Sequence, residues 1–117
     1  MVVILDDIIE IKGTVTIDSL NVEYTIIDIT NPQNAIVEGY IDLSTLTDGD
    51  TLELVEYIDN KIFSKVSFVG AQAEPIIRLE NKMLPSNTPY KITFKLASGS
   101  TPKTIAYAIL VEVTRKV

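Results

Sequence analysis

The side chains able to do chemistry in this chain are of four kinds: carboxylates, amines, phenols and hydroxyls. Its 117 residues include no cysteine and no histidine. That excludes disulfides, thiolate and imidazole metal sites, cysteine nucleophiles and a Ser-His-Asp triad together. Oxygen chemistry remains. Asp48-Gly49-Asp50, with Asp42 and Glu53 close in sequence, could gather oxygen ligands around a calcium ion. The spacing departs from the twelve-residue calcium loop that closes on a glutamate, and acid-Gly-acid is ordinary turn chemistry. Asp48 and Asp50 are therefore the metal candidates, while the expectation is of no bound metal and no cofactor.

Two carboxylates facing each other across a cleft could hydrolyse a glycosidic bond. Sixteen acids make accidental pairs inevitable, and Glu53 and Asp59 read as lying on a solvated face. No catalytic residue is assigned, and the chain is read as non-enzymatic. Sugar binding on a β-sandwich calls for exposed aromatic platforms, and the chain has no tryptophan. Tyr24, Tyr90 and Tyr107 fall on apolar faces and read as core. Tyr40 and Tyr57 fall on polar faces, which makes them the ligand-binding candidates, with glycan as the ligand class.

Charge narrows the partners. A net charge of −6 argues against nucleic acid, whose phosphates require a basic surface. Its distribution is uneven. Residues 1–60 hold thirteen acids and one base, Lys12, whereas residues 61–117 hold three acids and nine bases. Either acidic strands pair with basic strands inside one sandwich, or copies associate head to tail through opposite charges. The pattern by itself favours the first. Lys91 and Lys95 flank Thr93 on one strand, where lysines suit a solvated face or a guarded edge.

These side chains sit on elements of period two, with no helical stripe longer than a turn. Met1 to Ile11 reads as a first strand, not a signal peptide, and no apolar run reaches the roughly 18 residues of a membrane span. Ile9, Ile11, Val15 and Ile17 alternate with Glu10, Lys12, Thr14 and Thr16. A strand from Leu20 to Ile29 starts with Leu20, Val22, Tyr24 and Ile26 inward. Ile27 and Ile29 then break the alternation, which predicts a bulge or a strand covered on both faces. Asn31-Pro32-Gln33-Asn34 is a turn, and Ala35 to Leu43 a strand. Thr47-Asp48-Gly49-Asp50 is read as a hairpin or loop.

Leu52 to Ile58 and Ile62 to Val69 form a hairpin around Asp59-Asn60-Lys61. A short strand from Pro75 to Glu80 is followed by a loop from Asn81 to Pro89. Tyr90, Ile92, Phe94 and Leu96 define the cleanest amphipathic strand. The last strand runs from Thr104 to Val113. The expected fold is all-β: one domain over residues 1–117, an antiparallel β-sandwich of about eight strands with jelly-roll or other Greek-key topology.

Several segments together resemble the small β-sandwich virion proteins of archaeal and bacterial viruses. They are Asp48-Gly49-Asp50-Thr51 leading into Leu52-Glu53-Leu54-Val55-Glu56-Tyr57, Gly70-Ala71-Gln72, Pro75-Ile76-Ile77, Tyr90-Lys91-Ile92-Thr93-Phe94, and Ser98-Gly99-Ser100. The resemblance covers about residues 48–113. It implies a capsid, decoration or spike subunit in the virion, partnered by copies of itself and by other virion proteins, with no catalytic residues. The alternative expectation is a soluble or cell-surface binding module or adhesin that recognises glycan or protein through its loops.

Overall fold

The computed structural model describes residues 3–116. Eight strands occupy that span: β1 (Val3–Ile17), β2 (Glu23–Thr30), β3 (Ala35–Asp42), β4 (Thr51–Ile58), β5 (Lys61–Val69), β6 (Ile76–Leu84), β7 (Pro89–Ser98) and β8 (Lys103–Lys116). They form two four-stranded antiparallel sheets, ordered β1-β8-β3-β6 and β2-β7-β4-β5. β1 pairs with β8, β2 with β7, β3 with β6 and β4 with β5. The chain is thus one long hairpin rolled up, with β3–β8 and β4–β7 closing the roll. This is the jelly-roll arrangement.

The tip of that hairpin is Asp59-Asn60, where both residues take positive φ (54° and 63°). Asparagine and aspartate tolerate this geometry, and a two-residue turn of this kind matches the twist of the strands it joins. Folding there sets every strand of the acidic half beside strands of the basic half. All five ion pairs among the described residues accordingly join an acid before residue 61 to a base after it: Glu53 to Lys65 and Lys95, Glu56 to Lys82, Asp50 to Lys103, and Asp6 to Arg115. The charge asymmetry is met within the chain.

The core lies between the sheets. Tyr90, Ile92, Phe94 and Leu96 are fully buried and face Val37, Ile41, Ile105, Ile109 and Val111 across the layer. Each such side chain contributes roughly 1.5–3 kcal/mol relative to exposure. Tyr24 and Tyr107 pack against this core. The break at Ile27 is a bulge between Thr25 and Ile27 that turns both Ile26 and Ile27 inward.

Three local expectations are corrected and one is narrowed. Leu20 and Val22 are exposed, because they lie in the β1–β2 connection and not on a strand. Of the hairpin or loop expected at Thr47-Asp48-Gly49-Asp50, the structure has the loop, because the strands it joins, β3 and β4, belong to different sheets. β6 continues to Leu84, so the following loop is short. The N-terminal stretch and the strand from Ile9 are one element, β1, paired with β8 throughout. Of the N-terminal stretch, Met1 and Val2 lie outside the described residues.

Candidate functional site

The outer face of the β1-β8-β3-β6 sheet carries a cleft of about 610 Å³, within the range of small-molecule sites. Its floor is set by register. Lys12, Ala108, Tyr40 and Arg78 stand in one row, one residue from each strand. Thr14, Ala106, Asp42 and Ile76 make the next row. The two alanines on β8 leave a furrow between the longer side chains of β1 and β3. Beneath it, Gly39 sits on the core-facing side of β3 opposite Ile109: a Cβ there would collide with the Ala108 carbonyl and lie 2.8 Å from Ile109 Cα. The β3 backbone can approach β8 only because residue 39 lacks a side chain.

Tyr40 rises from this floor and is 45% exposed. Lys12 and Arg78 at the two ends of its row make no ion pair within 4.0 Å among the described residues. Two carboxylates flank it. Asp42 accepts a hydrogen bond from the Ser44 amide at 2.9 Å, and the Ser44 hydroxyl and amide hold its pKa below the ordinary carboxylate value. Glu38 accepts one from Asn81 Nδ2 at 3.3 Å.

Tyr57, the other expected ligand residue, lies on the outer face of the opposite sheet, so the two tyrosines do not form one platform. Its hydroxyl donates to Glu23 Oε1 at 2.8 Å, and Lys91 Nζ sits 4.6 Å from its ring centroid. The Glu23 carboxylate and burial raise its pKa. Nearby, Glu53 bridges Lys65 at 3.0 Å and Lys95 at 3.2 Å. Tyr57, Glu23, Glu53 and three lysines on this face are thus engaged with one another.

Asp50 is 1% exposed. Its Oδ2 accepts from Lys103 Nζ at 2.8 Å and from the Thr47 amide at 2.8 Å, and its Oδ1 from the Ser100 amide at 3.1 Å. Lys103 also donates to the Thr45 carbonyl at 3.1 Å. Burial pushes the Asp50 pKa up, but Lys103 and the Thr47 and Ser100 amides outweigh it and hold the value at about 2. Gly99, at φ +129°, leaves room for the carboxylate where a Cβ would strike it. The network clamps the β3–β4 loop to the β7–β8 loop. Asp48 is exposed, and among the described residues no three acidic side chains converge on one point.

A second buried pair went unforeseen. Lys82 Nζ lies 3.2 Å from Glu56 Oε1 between the sheets, with the Tyr90 hydroxyl 3.3 Å from the same oxygen. Lys82 also donates to the Glu80 carbonyl and sits 5.5 Å from the Tyr90 ring centroid. Burial, with Glu56 beside it, raises the Tyr90 pKa. Alternation along Leu52, Leu54, Glu56 and Ile58 could have placed Glu56 inward. Lys82 carried no such signal, because Glu80 and Asn81 together oppose Glu38 in a bulge that reverses the parity of β6.

No family model matches the sequence, and no curated protein matches it. Among solved structures, the chain is similar to the VP2 subviral particle protein of infectious bursal disease virus. The match has 12% identity and a TM-score of 0.51, covering 92% of this chain and 33% of that one. VP2 of the Gx strain matches at 13% identity and a TM-score of 0.48, over 93% of this chain and 32% of that one. The Podospora anserina GH26-CBM35 β-(1,4)-mannanase matches at 11% identity and a TM-score of 0.44, over 99% and 28%. The chain spans about a third of the length of these proteins. The first likeness is one of fold alone, and nothing in it points to an archaeal or bacterial virus.

Proposed function

We propose that this chain is a non-enzymatic structural subunit of a virus particle, a capsid, decoration or spike component that works by symmetric self-association. The observation that carries this reading is where apolar surface is left uncovered. Of twelve exposed large hydrophobic residues among those described, eleven lie at the two sides of the sandwich and one, Tyr40, on a central strand. Leu5, Ile8 and Ile9 on β1, with Leu20 and Val22 in the β1–β2 connection, edge one side. Ile62, Phe63, Val66 and Val69 on β5, with Ile76 and Met83 on β6, edge the other; Val69 is 71% and Met83 68% exposed.

Contiguous apolar surface rimmed by polar groups marks interaction sites, and a sandwich with two such sides can be joined repeatedly. Each contact alone would be modest, and repetition supplies avidity. Jelly rolls recur in capsids, and the likeness to VP2 agrees with that use of the fold.

Light scattering coupled to size-exclusion chromatography tests the reading. The mass should rise above one chain with concentration, and Val69→Lys with Met83→Lys should return it to a monomer without loss of fold. A chain that stays monomeric up to near-millimolar concentration, at low and high salt, would overturn it.

A further inference from the structure

The cleft around Tyr40 lies on the outer face of its sheet and meets the apolar β6 side only at Ile76, so Tyr40 and the alanine furrow stand apart from the association proposed above. We propose that it is a carbohydrate site, taking a neutral oligosaccharide laid across the strands with one sugar ring stacked on Tyr40. Three features of the cleft select this class of ligand. The first is direction. The Lys12-Ala108-Tyr40-Arg78 row crosses four strands spaced about 4.8 Å apart, so it extends for roughly 14 Å perpendicular to them. The two central strands beneath it, β8 and β3, have both neighbours in place. Their backbone groups are engaged in the ladders, which leaves none for an added peptide strand. Recognition must come from side chains.

The second is charge. The cleft is lined by Glu10 and Glu38 as well as Lys12 and Arg78, and Asp42 borders it in the next row. Carboxylates outnumber cations, which disfavours nucleic acid, sulfated polymers and other polyanions. The third is the mixture itself. An exposed phenol ring offers an apolar face to the C–H side of a sugar. The carboxylates of Asp42 and Glu38 accept hydrogen bonds from hydroxyls, and Lys12 and the Arg78 fork donate them. A purely apolar ligand would leave these charged groups unmatched. Ala106 and Ala108 supply the depth that lets the ring lie flat against Tyr40.

An array of neutral oligosaccharides, built from glucose, mannose, galactose, xylose and N-acetylglucosamine, probed with the full chain, tests this directly. At least one should bind. Tyr40→Ala should weaken that binding roughly tenfold, the loss of one stacking contact, and Tyr40→Phe should retain it. Ala108→Trp, which fills the furrow, should abolish it, and Tyr57→Ala should leave it unchanged. Light scattering on the same variants reads association separately, so failure of the site and failure of the assembly are told apart. Absence of binding across the neutral array, binding confined to sulfated glycans or nucleic acid, or binding not weakened by Tyr40→Ala would each overturn the proposal.

Discussion

The outer faces of the two sheets are built from similar residues and end in opposite states. On the β2-β7-β4-β5 face, Glu53 holds two lysines, and Tyr57 is fixed by Glu23 at one end and covered by Lys91. On the β1-β8-β3-β6 face, Tyr40 stands beside alanines, and Lys12 and Arg78 make no ion pair among the described residues. The first face pairs its tyrosine and lysines internally; on the second, Glu38 and Asp42 are bonded locally while Lys12 and Arg78 stay outside the ion pairs of the described residues. The difference teaches that composition does not distinguish a binding face from a structural one. Whether long polar side chains have neighbours long enough to reach them does, and alanine at positions 106 and 108 denies them those neighbours.

Breaking the clamp that holds the two sheets in relation should have the largest effect, because it disturbs both faces together. Lys103→Ala leaves Asp50 buried without its cation, and a loss of about 3–5 kcal/mol is expected in urea unfolding. The same pair fixes an acid limit. The folded Asp50 pKa of about 2 lies below the ordinary 3.8. Its contribution is therefore complete above about pH 4 and is lost as pH falls through about 2. Unfolding midpoints measured between pH 5 and pH 2 should drop, and Asp50→Asn should flatten that drop.

Gly39→Ala attacks the sheet that carries the open face, from its core side. The added Cβ meets the β8 backbone, which cannot yield as a side chain could, and should cost about 3 kcal/mol. A thermal melt unchanged by this variant would mean that β3 and β8 do not approach each other closely at residue 39. On the closed face, Glu53→Gln removes two partly exposed ion pairs and should cost about 1 kcal/mol. High salt should shrink that difference.

The smallest effects come from the tyrosines, and they sharpen the contrast most. Tyr57→Phe should cost up to about 1 kcal/mol, since its hydroxyl is bonded to Glu23. Tyr40→Phe should cost nothing measurable by the same denaturation.

Much of the sandwich could be read from the residues, and the reason is parity. Tyr90 to Leu96 alternates without interruption, and the structure buries every expected member of that set. The break at Ile27 and Ile29 allowed either a bulge or a strand covered on both faces, and the structure has the bulge, which lets adjacent Ile26 and Ile27 face one side. The turn at Asp59-Asn60 was legible from residue types that accept positive φ.

Tyr40 was legible as an outward residue, yet its row was not, because alternation within a strand says nothing of which strand lies beside it. Tyr57 looked equivalent in sequence and proved to be covered, for the same reason. Lys82 was hidden by the β6 bulge, which leaves no mark in local composition. Alternation continued past Leu79 would have put Asn81 and Met83 inward, where the structure puts Lys82 and Leu84. Charge order along the chain carried more information than its sum. The acidic first half and basic second half anticipated a fold in which the two halves pair strand by strand.

Negative-stain electron microscopy of the concentrated chain tests assembly most directly. Regular particles, rings or sheets in which copies repeat at their apolar sides are expected. A field of isolated particles no longer than the single molecule's 51 Å, at every concentration and salt tried, would contradict it.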